Sequence, residues 1–394
     1  MLKIYHHDHA NDRSSTNHQE PFHIVNTNTC KTINIPNFER IKKVVINQTS
    51  VHVLSESGQV YIFKDGFDSS SSSSNITIQV PYLLDTTTNG KLLIEDVSTF
   101  SEGSTLYLVR DEMNNTFLYG SGSTAYDCFG GNRQCMNEDG TEKFTLLYTP
   151  PTVNGYRHQI THIASCYSFT IIVLDYCDIR ISGQDWVNSV HTVMGWHVSQ
   201  FYCEKKIKKI ECGSFQFFVI FEDDTVMFCG DNGSNQMPHT EGTAHFSVDY
   251  EMKISEAFGG YDCSVVRFAN TTPTYENYML YGSAMLEYKN LKQFLSCYPK
   301  FSESNSDNAK IRYIKDIFFI EFNGLFYAIS NSHNMRFVVD ASKEFDGIPG
   351  NNYQITAHSS TVVFYKTFSA VIYPKLATYL RNQSILTDCY FQFE

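Results

Sequence analysis

The stretch IKKIECGSFQFFVIFEDDTVMFCGDNGSNQMP, Ile207–Pro238, decides how this 394-residue chain is read. It opens on two apolar residues three apart, Ile207 and Ile210, and pauses at Cys212-Gly213. An aromatic run follows, then the acidic turn Glu222-Asp223-Asp224, a second run ending on Gly230, and a loop rich in Gly and Asn. Two short apolar runs joined by turn residues read as paired β-strands. The same opening recurs at Ile41 and Val44, Ile94 and Val97, Ile160 and Ile163, Ile254 and Ala257, Ile311 and Ile314, and Ile355 and His358. Each copy leads into a strand-like run, and most contain a turn signal; Asn323-Gly324, between FFIEF and LFYAI, is the clearest hairpin.

Successive copies lie 44 to 66 residues apart, a spacing that suits four-stranded propeller blades with connections of varying length. No such sheet can bury both of its faces alone, so each must lean on its neighbours, and a ring of them needs no capping unit. The expected fold is all-β: a single propeller over residues 1–394. Six or seven four-stranded blades fit, and seven is preferred. The opening segment MLKIYHHD has the pattern of Gln59–Phe63, so residues 1–40 are expected to supply a ring-closing strand and a linker.

The repeat resembles that of the RCC1 (regulator of chromosome condensation) family. Ile207, Ile210, Cys212, Gly213, Phe215, Asp224, Val226, Phe228, Gly230, Asn232 and Gln236 follow that family's order. Parts recur at Tyr119, Gly120 and Gly122, at Ile181, Ser182, Gly183 and Gln184, and at Gly259, Gly260, Tyr281 and Gly282. The likeness runs from Ile41 to Tyr373 and departs from the pattern in places. Phe215, Ser104 or Ser168 stands where the family often has His, and Asn235-Gln236-Met237-Pro238 replaces a Gly-Gln-Leu-Gly ending. The resemblance implies an interaction module that docks a protein through loops on one face. The alternative it implies is guanine nucleotide exchange on a small Ran-like GTPase, driven by a β-ribbon projecting from one blade. The excursion Ser121 to Gln159 is long enough to supply that ribbon.

Composition narrows the remaining classes. A formal net charge of −12 disfavours nucleic acid, whose binding is driven by a positive field and counterion release. Lys42, Lys43 and the run Lys205, Lys206, Lys208, Lys209 read as lysines protecting strand edges. Eleven cysteines without a CxxC pair signal neither zinc nor a redox motif; Cys166, Cys212 and Cys263 sit at related repeat positions, as small packing residues in a reducing compartment. The first residues lack an apolar leader and no run is long enough to span a bilayer, so a soluble, monomeric, cytoplasmic protein is expected, with nuclear placement left open.

No catalytic motif or phosphate loop is present, so neither catalytic chemistry nor a cofactor or metal is expected. The cluster His6, His7, Asp8, His9 reads as an exposed terminus, and Asp223-Asp224 as a solvated turn. Gly120, Gly183, Gly213, Gly230, Gly259, Gly260 and Gly282 read as structural glycines of the repeat. Function is expected on loops. The candidate partner-contacting residues are Asp127, Asn132 and Arg133 in the first excursion, Asp185 and Trp186 after Gly183, and Asp231 and Asn232 after Gly230. A second excursion, Ser283 to Lys310, carries Leu286, Leu291, Phe294 and Leu295 at near-helical spacing, and a short helix packed on the rim is expected there. The Ser69–Ser74 run reads as a loop.

Overall fold

The computed structural model describes residues 2–6, 29–33, 41–46, 50–64, 76–77, 92–99, 104–122, 128–130, 144–167, 169–185, 190–230, 232–238, 246–285, 287–298, 301, 310–314, 317–322, 325–330, 335–340, 353–358 and 361–366. Antiparallel sheets follow one another along the chain. The first blade runs from Ile41–Ile46 outward through Ser50–Ser55 and Val60–Lys64 to Ile76–Thr77. The second comprises Leu93–Thr99, Thr105–Arg110, Thr116–Ser121 and Thr145–Tyr148, and the third Ile160–Ser165, Phe169–Leu174, Asp178–Asp185 and Val190–Tyr202. In the fourth, Ile207–Cys212, Gln216–Phe221 and Thr225–Gly230 precede the long strand Phe246–Gly259. That strand pairs with Thr225–Gly230 up to Lys253, then with Cys263–Phe268 from Ile254 onward, and so opens the fifth blade, which continues to Tyr278–Gly282. The sixth holds Lys310–Ile314, Ile317–Phe322, Leu325–Ser330 and Met335–Asp340.

The seventh blade is built from both ends of the chain. Tyr353–His358 pairs with Thr361–Lys366, which pairs with Leu2–His6, which pairs with Thr29–Ile33. Each innermost strand touches that of the next blade, and Tyr353–His358 of the seventh lies against Ile41–Ile46 of the first. The blades therefore form a closed seven-membered propeller.

The recurrent pair of apolar residues three apart has a geometric cause. Alternate residues of a strand share a face, so a spacing of three would place the two on opposite sides. In the first five blades the pairing register slips by one residue between them: Lys42, Glu95, Thr161, Lys208 and Ser255 are the extra residues of five equivalent β-bulges. The bulge restores both apolar residues to one face. The innermost strand of the sixth blade pairs without a slip, and there the buried pair is Ile311 with Tyr313, two apart. The seventh is likewise unbroken.

The core lies in the seams between blades. Phe217, Val219 and Phe221 pack toward the third blade, while Phe218 and Ile220 of the same strand pack toward the fifth. All six residues of Gln216–Phe221 are buried, which is why the strand reads as a continuous apolar run. Polar side chains admitted here cross the seams. His52 of the first blade lies 3.1 Å from the Tyr107 hydroxyl and 3.3 Å from Thr105 Oγ1 of the second. Gln216 Nε2 donates to the Cys263 carbonyl (3.2 Å) across the seam between the fourth and fifth blades. Such groups are tolerated in a core because they are hydrogen-bonded.

Two expectations need correction. The fifth blade has three described strands, not four: where a fourth would begin, Asn290 makes a single bridge to Met279 and caps the helix Leu291–Leu295. That helix does not lie on the rim. Leu291, Phe294 and Leu295 are fully buried and fill the seam between the fifth and sixth blades, in contact with residues such as Val265 and Phe318. Asn323-Gly324 lies outside the described residues, although Phe322 pairs with Leu325 on either side of it.

Among the repeat glycines, Gly183, Gly230 and Gly282 adopt positive φ, and in the second blade Gly122 does so in place of Gly120. At Gly230 (φ +114°) a Cβ would fall on the Phe215 carbonyl oxygen. Gly120 is confined differently, by Leu147 of the neighbouring strand. Gly213 and Gly259 meet backbone to backbone between the fourth and fifth blades, and Gly213 also faces the Gly260 carbonyl. The eight cysteines with described side chains are free thiols; Cys166 and Cys263 are buried and Cys212 is half-buried. Among the described residues no helix is long and apolar enough to cross a membrane.

Candidate protein-docking surface

In each blade the innermost strand runs toward one mouth of the ring. Turns between first and second strands, and between third and fourth, gather at that mouth; hairpins between second and third strands, and connections to the next blade, gather at the other. Five of the seven exposed large apolar side chains among the described residues lie at this second end, on the neighbouring second and third blades. They are Leu93, Met113 (78 % exposed), Val153, Tyr156 (58 %) and Tyr176 (45 %). Apolar side chains concentrated this way mark an interaction site more often than scattered ones do.

Two of these side chains, Val153 and Tyr156, belong to a two-stranded ribbon within the first excursion. Thr152 pairs with Arg157 and Val153 with Tyr156, and Asn154 (φ +52°) and Gly155 (φ +80°) make the turn. Positive φ at both central positions is the hairpin turn for which Asn-Gly is the preferred pair. The ribbon's base is fastened on both sides. The His158 amide donates to the Pro151 carbonyl (3.1 Å), the Ile160 amide to Thr116 Oγ1 (2.6 Å), and the Arg157 guanidinium lies 4.7 Å above the Phe117 ring. Asp175 of the third blade is the main clamp. Its carboxylate accepts from the Gln159 amide (2.9 Å) and the Tyr156 hydroxyl (3.3 Å), and pairs with His158 Nδ1. Residues 152–156 are exposed, so a rooted ribbon stands in solvent beside Tyr176.

The surrounding charges are largely paired. Glu95 receives Arg110 through two nitrogens, Lys43 bridges the first and second blades to Asp96 at 2.7 Å, and the extra residue Lys42 donates to the Glu95 carbonyl. Lys205 and Lys208 pair with Asp223 and Asp224, and Lys209 with Glu211. The hydrogen bond from Lys205, with further ones from Thr225, holds the Asp223 carboxyl below the usual carboxylate range. These lysines thus knit turns and blades together, beyond guarding an edge. Lys206 has no carboxylate partner among the described residues; its ammonium lies 5.7 Å from the Tyr176 ring.

His162 sits beneath this surface, its ring edge on Tyr176 and Nε2 3.3 Å from the Lys208 carbonyl oxygen. Burial lowers its pKa, against the pull of that carbonyl and of Asp96. With a folded pKa below the unfolded value of 6.5, the neutral ring's contribution to stability is complete above pH ~6.5 and is lost as pH falls through the folded pKa. His162→Gln should therefore flatten the acid side of the stability curve, measured as urea midpoints between pH 7.5 and 5, relative to the wild-type chain.

Of the residues singled out from sequence, the two described ones, Asp185 and Asn232, belong to the opposite mouth. Asp127, Asn132, Arg133, Trp186 and Asp231 lie outside the described residues, and Asp185 ends the third strand of its blade, paired with Val190. Asn232 is buried; its Oδ1 accepts from the Met237 amide at 2.8 Å and shapes its own loop. At this mouth Tyr167, Phe215 and Tyr261 of consecutive blades form an edge-to-face arc with centroids 5.8 and 4.9 Å apart. The ribbon was legible in advance as Val153-Asn154-Gly155-Tyr156, an Asn-Gly between strand-forming residues. Tyr176 had no such signal.

Solved structures share the fold. Human WBSCR16 superposes with a TM-score of 0.58 at 11 % identity, covering 86 % of this chain and 90 % of that one. Prp20p from Saccharomyces cerevisiae superposes at 0.51 with 12 % identity over 88 % and 86 %. The same yeast RCC1 (Prp20) bound to Kap60 gives 0.52 at 10 % identity over 87 % and 83 %. The chain has the RCC1-like propeller fold. At such identities the likeness is one of fold alone. No protein-family model matches the sequence, and no curated protein matches it. Within this RCC1-like ring the first five blades share one β-bulge, and Gly183, Gly230 and Gly282 share positive φ.

Proposed function

We propose that this RCC1-like propeller is a protein-interaction module that docks its partner on the ribbon end of the second and third blades. The observation carrying the reading is the exposure of Leu93, Met113, Val153, Tyr156 and Tyr176 at one end of two neighbouring blades, with Val153 and Tyr156 on a rooted ribbon. Tyr rings on a rigid support supply contact area at low entropic cost, and a flexible Met adapts to the surface it meets, as interface residues do. The structural relatives agree in kind: one is bound to Kap60, and Prp20p is described by its binding to Gsp1p and histones.

The test is site-specific photocrosslinking. A benzoylphenylalanine at position 156 should capture a discrete protein in the native cytosol, and the same probe at position 261, on the other mouth, should not capture it. Equal capture at both positions counts against the assigned face. The ribbon can also be excised, because Pro151 and His158 are already hydrogen-bonded across its base. Replacing residues 152–157 by Gly-Gly should leave the melting temperature within a few degrees and abolish capture by a probe at position 113. Unfolding of that variant would show the ribbon to be part of the core.

Nucleotide exchange on a small GTPase is the second reading, favoured by the ribbon itself, since a β-ribbon projecting from one blade is the wedge that reading requires. Release of labelled GDP from a panel of purified small GTPases should then accelerate with the intact chain and not with the excised one. Acceleration of none of them leaves the interaction module alone.

A further inference from the structure

Five hairpins join the second and third strands of described blades, and they act as controls for one another. Four place a single residue at positive φ, of a type that tolerates it: Gly58, Asn114, Asp224 and Asn270. The third blade differs. Its turn, Asp175 to Cys177, is closed by the Cys177 amide on the Leu174 carbonyl (3.0 Å), with positive φ at both Asp175 (+51°) and Tyr176 (+66°). A bulky residue in the left-handed region is a conformational outlier, and such strain persists where the surroundings impose it and function uses it. Asp175 is explained by its clamp on the ribbon. Tyr176 is not explained by its backbone bonds, from its amide to Thr161 Oγ1 and from the Ile207 amide to its carbonyl, because glycine would make both.

We infer that Tyr176 is the binding anchor of the ribbon face, held in a strained turn for recognition, and that with Lys206 it receives a protein surface presenting an aspartate or glutamate beside an apolar patch. The inference rests on the docking reading above and names the chemistry of its partner. The ring is presented nearly half exposed, with the His162 ring set nearly perpendicular to it at a 5.8 Å centroid separation. The Lys206 ammonium beside it is exposed, whereas Lys205, Lys208 and Lys209 are each matched by a carboxylate of this chain. An incoming carboxylate would complete the set, and the Tyr176 and Tyr156 rings and Val153 would cover the apolar part.

The test separates fold from binding. Without any partner, Tyr176→Gly and Tyr176→Asn should melt at or above the wild-type temperature, because relief of strain offsets the lost ring contacts. A fall of more than about 5 °C, which in a chain of this size is a substantial loss, would assign the ring to the fold and overturn the inference. The protein captured at position 156 is then purified and titrated calorimetrically against variants. Tyr176→Gly and Lys206→Glu should each weaken its binding at least tenfold, while Tyr176→Phe and Lys206→Arg stay within about threefold. A captured partner indifferent to Tyr176→Gly or to Lys206→Glu refutes this inference and leaves the docking face standing. Failure of position 156 to capture anything refutes both.

Discussion

Replacing Gly230 by valine is expected to cost about 3–5 kcal/mol, from a side chain forced to φ +114° and a Cβ lodged on the Phe215 carbonyl oxygen. Neither burden can be relieved locally, since Gly230 pairs with Gln216 and both belong to fully buried strands. Gly155→Ala is the matched control. It too has positive φ, but a Cβ there meets nothing within 4 Å, so its cost is about 1–2 kcal/mol. Urea midpoints of the two variants check the difference. Against a total stability of about 5–15 kcal/mol, the first change removes a large part and the second a small one. Equal midpoints would mean that the strand-end glycines are incidental to the repeat.

Removing residues 1–40 is expected to do more. The seventh blade would lose both strands supplied by the start of the chain, and the backbone edge of Thr361–Lys366 would be laid open. An unpaired edge recruits other chains. The shortened protein should lose its cooperative unfolding transition and aggregate. Restoring residues 1–40 after residue 394 through a flexible linker should recover a cooperative melt, because a ring closed by pairing does not depend on which side of the break the strand is attached. A truncated chain melting as cooperatively as the whole would show that the ring does not need the strand.

The readable and unreadable parts of this molecule differ in physical kind. The apolar pairs of the first five blades could be read because a bulge turns a spacing of three into a shared face, and the bulge recurs with the repeat. The sixth and seventh copies were faint because they lack it: Ile311 works with Tyr313, and the spacing to Ile314 carries no such meaning. Spacing also identified the helix Leu291–Leu295, yet its burial in a seam goes with a fifth blade of three described strands, which no local pattern announces. The ribbon turn was written as Asn154-Gly155 but lay inside an excursion read for its length. Tyr176 could not be found in advance, since Leu-Asp-Tyr-Cys betrays nothing until the chain is seen to turn there with positive φ. Choosing loops by their place after the repeat glycine favoured one mouth, while the apolar side chains gather at the other.

Joining the two ends of the chain in one sheet is what makes the ring, and with it a rigid face for the ribbon. The pairing register places Ile4 opposite Val363. In the full-length chain carrying Ile4→Cys and Val363→Cys, mild oxidation should form an intramolecular disulfide, recovered as a single cross-linked peptide from monomeric protein. Absence of that bond under conditions where both thiols are alkylatable, or its appearance only between chains, would contradict a propeller closed by its own N-terminal strand.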